Sequence, residues 1–188
     1  MMCSCWNLAA VLQEGGHTCA GEQRVGGVQE NYPATTPIPP MEDPTGTPVG
    51  QQLQDDMIVF LQQWPWEWFL SLTFRQSAHP EAADKQFRRF VMQLNRVLYH
   101  QRWLKHDQGI RWVQALEYNR QGAIHYHALF TGVSGLRPHD CAALWHKHAG
   151  FARIEAIRNT VAVLRYISKG VPRGGELDFE PRMRAPQL

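Results

Sequence analysis

The sequence predicts an α+β fold, a central antiparallel sheet with flanking helices. Three observations carry that expectation. Short segments rich in aromatic and β-branched residues alternate with longer ones whose apolar residues recur at helical spacing, in the order β-α-β-β-α-β-α. Two of the strand-like segments are separated only by NRQG, a stretch long enough for a hairpin and far too short for a parallel crossover. The helical segments end at glycine or begin at proline, as helices do.

The elements follow in order. Residues 66–74, WEWFLSLTF, read as a mostly buried strand. Between residues 77 and 103 the period changes: Phe87, Phe90, Val91, Leu94, Val97 and Leu98 fall on one helical stripe, with Pro80, Glu81 and Asp84 suited to a first turn. Arg88, Arg89 and Arg96 lie off that stripe, on a wet or phosphate-facing side. Residues 110–118 and 123–130, IRWVQALEY and AIHYHALF, are the hairpin strands. A short helix at PHDCAALWHKH, a strand at FARIEAI and a helix from about Asn159 to Gly170 complete the series.

The chain has 188 residues, 44% hydrophobic and 19% charged, a composition of soluble globular proteins. It holds no apolar run near the roughly 18 residues of a spanning helix and no basic, apolar secretory leader, so a cytoplasmic protein without membrane contact is expected. Residues 1–50 hold six of the 12 prolines and seven of the 15 glycines without a hydrophobic period, and read as a disordered Pro/Gly-rich leader ahead of a folded domain at 51–188. The leader carries one basic and five acidic residues, leaving 18 basic and 12 acidic in the body. A body with a net charge of +6 points towards polyanions. Cys3, Cys5, His17 and Cys19 do not match a paired zinc signature and are read as incidental.

The hairpin carries the chemistry. Loop length decides which residues share a face, because alternate strand residues point the same way. A three-residue loop of Arg120, Gln121 and Gly122, with the glycine left-handed, pairs Asn119 with Ala123 and Glu117 with His125. Glu117, His125 and His127 then face one side; a two- or four-residue loop turns the carboxylate away. Two imidazoles and a carboxylate suit a divalent ion and leave coordination positions open, as in catalytic sites. The other His-x-His, His146 and His148, lies on a helix, where residues two apart diverge by about 200°, and is not read as a site.

The last helix contains VAVLRYISKG. Val161, Val163, Leu164 and Ile167 form an apolar face, Tyr166 sits at its edge, and Lys169 is a helical neighbour of Tyr166. With Arg165 and an upstream metal-type hairpin, these are parts suited to attack on a phosphodiester: a phenolate nucleophile and a cation to offset developing charge.

The succession FLSLTF, HYH and YISK resembles the three motifs of the HUH endonucleases, in particular the single-tyrosine initiators of rolling-circle replication in plasmids and phages. The resemblance covers roughly residues 66–170. It implies a palm-like or RRM-like sheet, Mg²⁺ or Mn²⁺, nicking of single-stranded DNA at an origin or hairpin, and a 5′-phosphotyrosine intermediate resolved by strand joining. By position it implies His125 and His127 as metal pair, Glu117 as third ligand, Tyr166 as nucleophile and Lys169 as its helper, with Arg88, Arg89 and Arg165 as DNA contacts. Some family members carry a second tyrosine one helical turn away, where this chain has Ala162 and Gly170. Resolution would then need a water or a second subunit, hence a homodimer. The chain has no phosphate-binding GxxxxGK[ST] loop, so helicase and polymerase would act in trans.

Two classes compete with this reading. Iron oxygenases also use two histidines and a carboxylate, but have no use for Tyr166 and Lys169. A non-catalytic RRM-like module would bind single strands by stacking on exposed Trp66, Trp68 and Trp112. Within the superfamily, a transposase or relaxase is the alternative to an initiator.

Overall fold

A computed structural model describes residues 48–100, 103–106, 108–119, 121–173 and 175–183. The elements are α1 (Pro48–Leu61), β1 (Trp68–Thr73), α2 (Pro80–Tyr99), β2 (Arg111–Tyr118), β3 (Ile124–Thr131), α3 (Pro138–His148), β4 (Ala152–Ala156), α4 (Thr160–Ile167) and β5 (Leu177–Phe179), with 3₁₀ turns at Trp103–His106 and Ser168–Arg173. The strands form one five-stranded sheet in the order β4-β1-β3-β2-β5, antiparallel at every pairing. The α+β expectation holds. Helix α1 and strand β5 are additions to the expected series, and the last helix tightens into 3₁₀ geometry after Ile167 rather than running on to Gly170. The expected leader lies outside the described residues except for Pro48, Val49 and Gly50, which open α1.

Strand alternation divides the core in two. On one side α2 lays Phe87 against Trp112, Tyr126 and Phe130, and Phe90 against Trp145 of α3. On the other, Ile58 and Leu61 of α1 and Leu164 and Ile167 of α4 pack with Val113, Ala115 and Leu129 of the sheet. Trp66, Trp68 and Trp112 are all buried. This corrects the stacking module expected to use them: an indole sealed in a core presents no face to a base. Burial is the expected fate of so much apolar surface in a short body.

Two glycines position the site. Gly122 has φ +78°, a conformation that side-chain-bearing residues rarely adopt. It closes the hairpin with its N–H on the Asn119 carbonyl at 2.9 Å, while the Asn119 N–H meets the Ala123 carbonyl at 2.9 Å. The Asn119 side chain also accepts from the backbone of Gln121 and Ala123. The register is Glu117 opposite His125, as the three-residue loop requires. Gly150, between α3 and β4, is needed for close approach instead: a Cβ there would overlap the Thr73 carbonyl oxygen. Gly150→Ala should therefore cost about 2–3 kcal/mol, in the upper range for overpacking, read as a lowered urea midpoint.

Candidate active site

The site is built on the α4 side of the sheet. Thr73 lies opposite His125 and Ser71 opposite His127 on one flank; Glu117 and Ala115 lie opposite the same histidines on the other. The Glu117 carboxylate is 3.5 Å from His125 Nε2 and 3.7 Å from His127 Nε2. One donor atom from each of the three residues falls within 4.8 Å of the others, a set that can hold a metal ion. The side chains grade from 9% exposed at His127 to 21% at His125 and 24% at Glu117, so the cluster opens to solvent on the His125 side.

The chemistry of the donors fits a divalent cation. Burial keeps the His127 imidazole neutral, pulling its pKa down to about 4 against the opposing Glu117 charge, with His125 and Lys169 adding to the fall. A neutral ring is what a metal requires. Ser71 Oγ lies 3.1 Å from His127 Nδ1, and Phe69 stacks on the ring at 5.4 Å and 10°. With Nδ1–H donating to Ser71, Nε2 is left as the acceptor directed at the carboxylate, the arrangement by which a second partner orients a ligating histidine.

Helix α4 brings Tyr166 and Lys169 to this cluster. Asn159 caps its start, accepting from the Ala162 N–H at 3.0 Å. Leu164 and Ile167 are buried, whereas Val161, expected on the same face, is exposed. The Tyr166 hydroxyl is 3.1 Å from His127 Nε2, and its ring meets Phe69 edge-on at 5.7 Å. Lys169 Nζ lies 2.9 Å from Glu117 Oε1 and 3.8 Å from the Tyr166 ring centroid. Partial burial works against the ammonium, but its bonds to Glu117 and Tyr166 outweigh that and raise its pKa above the usual lysine value. It is charged at neutral pH. A carboxylate, two imidazoles, a phenol and a cation thus converge from β2, β3 and the end of α4.

A model of the replication-associated protein family of the ORF2 and gene 2 protein type matches residues 67–171. The chain belongs to this family. No curated protein and no solved structure matches it. The matched span of this replication-associated protein holds β1 to α4 and the whole Glu117, His125, His127, Tyr166 and Lys169 cluster; α1 precedes it.

The three arginines expected as DNA contacts do not come together. Arg165 is exposed on α4, next to Tyr166. Arg88 and Arg89 are on α2, across the sheet from the cluster, because Tyr126, which packs on α2, points opposite to His125 and His127. Arg88 is engaged there by Asp84 at 2.8 Å and Asp178 at 2.6 Å and lies over Trp112. His146 and His148 are on α3, as the helical reading of that His-x-His requires. Sequence reasoning misses Ser71 and Phe69. Their signal is a serine and a phenylalanine in alternate positions of FLSLTF, the register that faces the histidines. Among the described residues no helix is long and apolar enough to cross a membrane.

The lowered His127 pKa has a stability consequence. An unfolded imidazole protonates near pH 6.5, whereas the folded ring resists protonation down to about 4. The stability associated with the neutral ring is present above about 6.5 and is lost as the pH falls towards 4. In chelator, urea midpoints should decline across that window, and the decline should be smaller in His127→Gln; equal slopes would contradict it.

Proposed function

We propose that this protein is a replication initiator endonuclease that nicks and rejoins single-stranded DNA at an origin or hairpin through a 5′-phosphotyrosine intermediate. The observation that carries the reading is the Tyr166 hydroxyl at 3.1 Å from His127 Nε2, with Lys169 against both Glu117 and the Tyr166 ring. A phenol at a metal-type cluster with a cation beside it is chemistry for phosphoryl transfer. It has no part in an iron oxygenase.

Glu117, His125 and His127 would hold Mg²⁺ or Mn²⁺, which when bound supplies Lewis-acid polarisation of a non-bridging phosphate oxygen. The rest falls to the chain itself. The Tyr166 oxygen forms a bond to phosphorus as the bond from phosphorus to the 3′-oxygen breaks, and the phenolic proton is balanced by the proton gained by the departing 3′-hydroxyl. Lys169 stabilises the negative charge on the phenolate and on the phosphoryl group. Rejoining is the reverse step, with an incoming 3′-hydroxyl as nucleophile. Arg165 suits a backbone phosphate because it is exposed beside the nucleophile; Arg88, neutralised by two aspartates, and Arg89, on the same far side, suit it less. With Ala162 and Gly170 flanking Tyr166, a second cycle draws on a water or on the tyrosine of a second copy, and strand separation and synthesis come from a helicase and polymerase in trans.

Incubation with a pool of single-stranded oligonucleotides and Mn²⁺, followed by mapping of covalent ends, tests the reading. The expected product is a 5′-linked protein adduct at a recurring sequence together with a free 3′-hydroxyl. Cleavage that leaves two free ends would replace the tyrosine with an activated water and sink the proposal.

A further inference from the structure

We propose that α1, which lies ahead of the family-matched residues, is a positioning element for the Tyr166–Lys169 segment, and that Gln54 is the residue through which it acts. The inference rests on the reading of Tyr166 and Lys169 as the reacting pair.

Helix α4 ends at Ile167 and the chain continues as a 3₁₀ turn from Ser168. An α-helix advances about 100° per residue and a 3₁₀ helix about 120°. Residues three apart are displaced around an α-helix but stack in 3₁₀ geometry. The change of winding therefore brings Lys169 over Tyr166, 3.8 Å from its ring, and in reach of Glu117. A shift of the junction by one residue separates the pair.

This junction also has carbonyls without helical partners, as every helix end does. Gln54 Nε2 donates to the Arg165 carbonyl at 3.1 Å and lies 3.4 Å from Ser168 Oγ. Ser168 is fully buried, and its hydroxyl donates back to the Leu164 carbonyl at 2.8 Å. The two atoms that Gln54 meets thus belong to the residues immediately before Tyr166 and immediately before Lys169. Ile58 and Leu61, one and two turns further along α1, share the core with Leu164 and Ile167, so the amide is presented from an anchored helix. Gln54 touches neither the carboxylate nor the imidazoles and acts only through the backbone of α4.

The test uses the full chain and three substitutions. Gln54→Ala removes the donor, Gln54→Glu sets a carboxylate against the Arg165 carbonyl, and Gln54→Lys restores a donor of similar reach. Hydrogen exchange is read on the protein alone: amides of residues 166–170 should exchange at least about 10-fold faster in the Ala and Glu variants and near the wild-type rate in the Lys variant, with β3 unchanged. With the oligonucleotide pool and Mn²⁺, the initial rate of adduct formation should fall about 10-fold in Gln54→Ala, further in Gln54→Glu, and recover in Gln54→Lys, while Mn²⁺ affinity by calorimetry stays constant. Val91→Ala, in the core across the sheet, serves as a control of comparable thermal destabilisation that keeps the wild-type rate. Unaltered exchange at 166–170 in Gln54→Ala, or a rate no lower than that of Val91→Ala, overturns the proposal. If the wild-type protein forms no adduct, the functional reading fails, while the exchange arm still decides whether Gln54 holds the junction.

Discussion

Tyr166→Phe should form no covalent adduct with single-stranded DNA, while the wild-type protein with Mn²⁺ should form one that survives boiling in detergent and maps by mass spectrometry to Tyr166. The substitution removes one hydroxyl from a ring that is 40% exposed, so folding, metal binding and DNA binding should persist. Loss of the nucleophile removes the reaction rather than slowing it. Lys169→Ala should retain the adduct at a rate lower by about 10²-fold, the scale on which one electrostatic stabiliser of a transition state acts. The other tyrosines are controls with distinct surroundings. Tyr126 is buried, and burial pushes its pKa up to about 12; Tyr99 donates to the Gly132 carbonyl at 2.6 Å; Tyr118 is exposed but next to Glu117 on the opposite strand face. An adduct on any of these, or wild-type cleavage by Tyr166→Phe, would refute the assignment.

The second large effect is on metal affinity. Glu117→Ala, His125→Ala and His127→Ala should each weaken Mn²⁺ binding by about 100-fold or more, since removal of an outer-sphere partner alone costs about 10- to 100-fold. Ser71→Ala should fall in that lower range by releasing His127 Nδ1. His146→Ala, on the exposed side of α3, should leave affinity unchanged. Lys169→Met should bind Mn²⁺ about 5-fold more tightly, because a cation entering the cluster no longer competes with an ammonium for Glu117 and a partly exposed ion pair is worth about 1 kcal/mol. The same residue would then slow the chemistry and strengthen the metal when removed, a split that a purely structural lysine does not produce. Calorimetry on the six variants reads all of it, and unchanged affinity in Glu117→Ala would eliminate the carboxylate as a ligand.

Local rules make a large part of this chain legible from its residues alone. The apolar stripe of α2, Pro138 at the start of α3 and the period-2 strands are set by neighbours within a few residues. Even one long-range feature is legible, because a glycine that must be left-handed sets the loop length, the loop length sets the register, and the register sets Glu117 beside the histidines. The remainder depends on contacts between distant segments. Whether an arginine off the apolar stripe faces DNA or two aspartates depends on what β5 brings alongside it, and Asp178 is 90 residues from Arg88. Tryptophans in a strand read equally as stacking platforms or as core until the helices that cover them are placed. Helix α1 has only a modest apolar face, and its place is settled by Leu164 and Ile167 more than 100 residues away. Local periodicity reports which residues can share a face. Which faces meet is settled by burial across the whole chain, and it is there that the roles of Ser71 and Gln54 and the approach of Tyr166 to His127 arise.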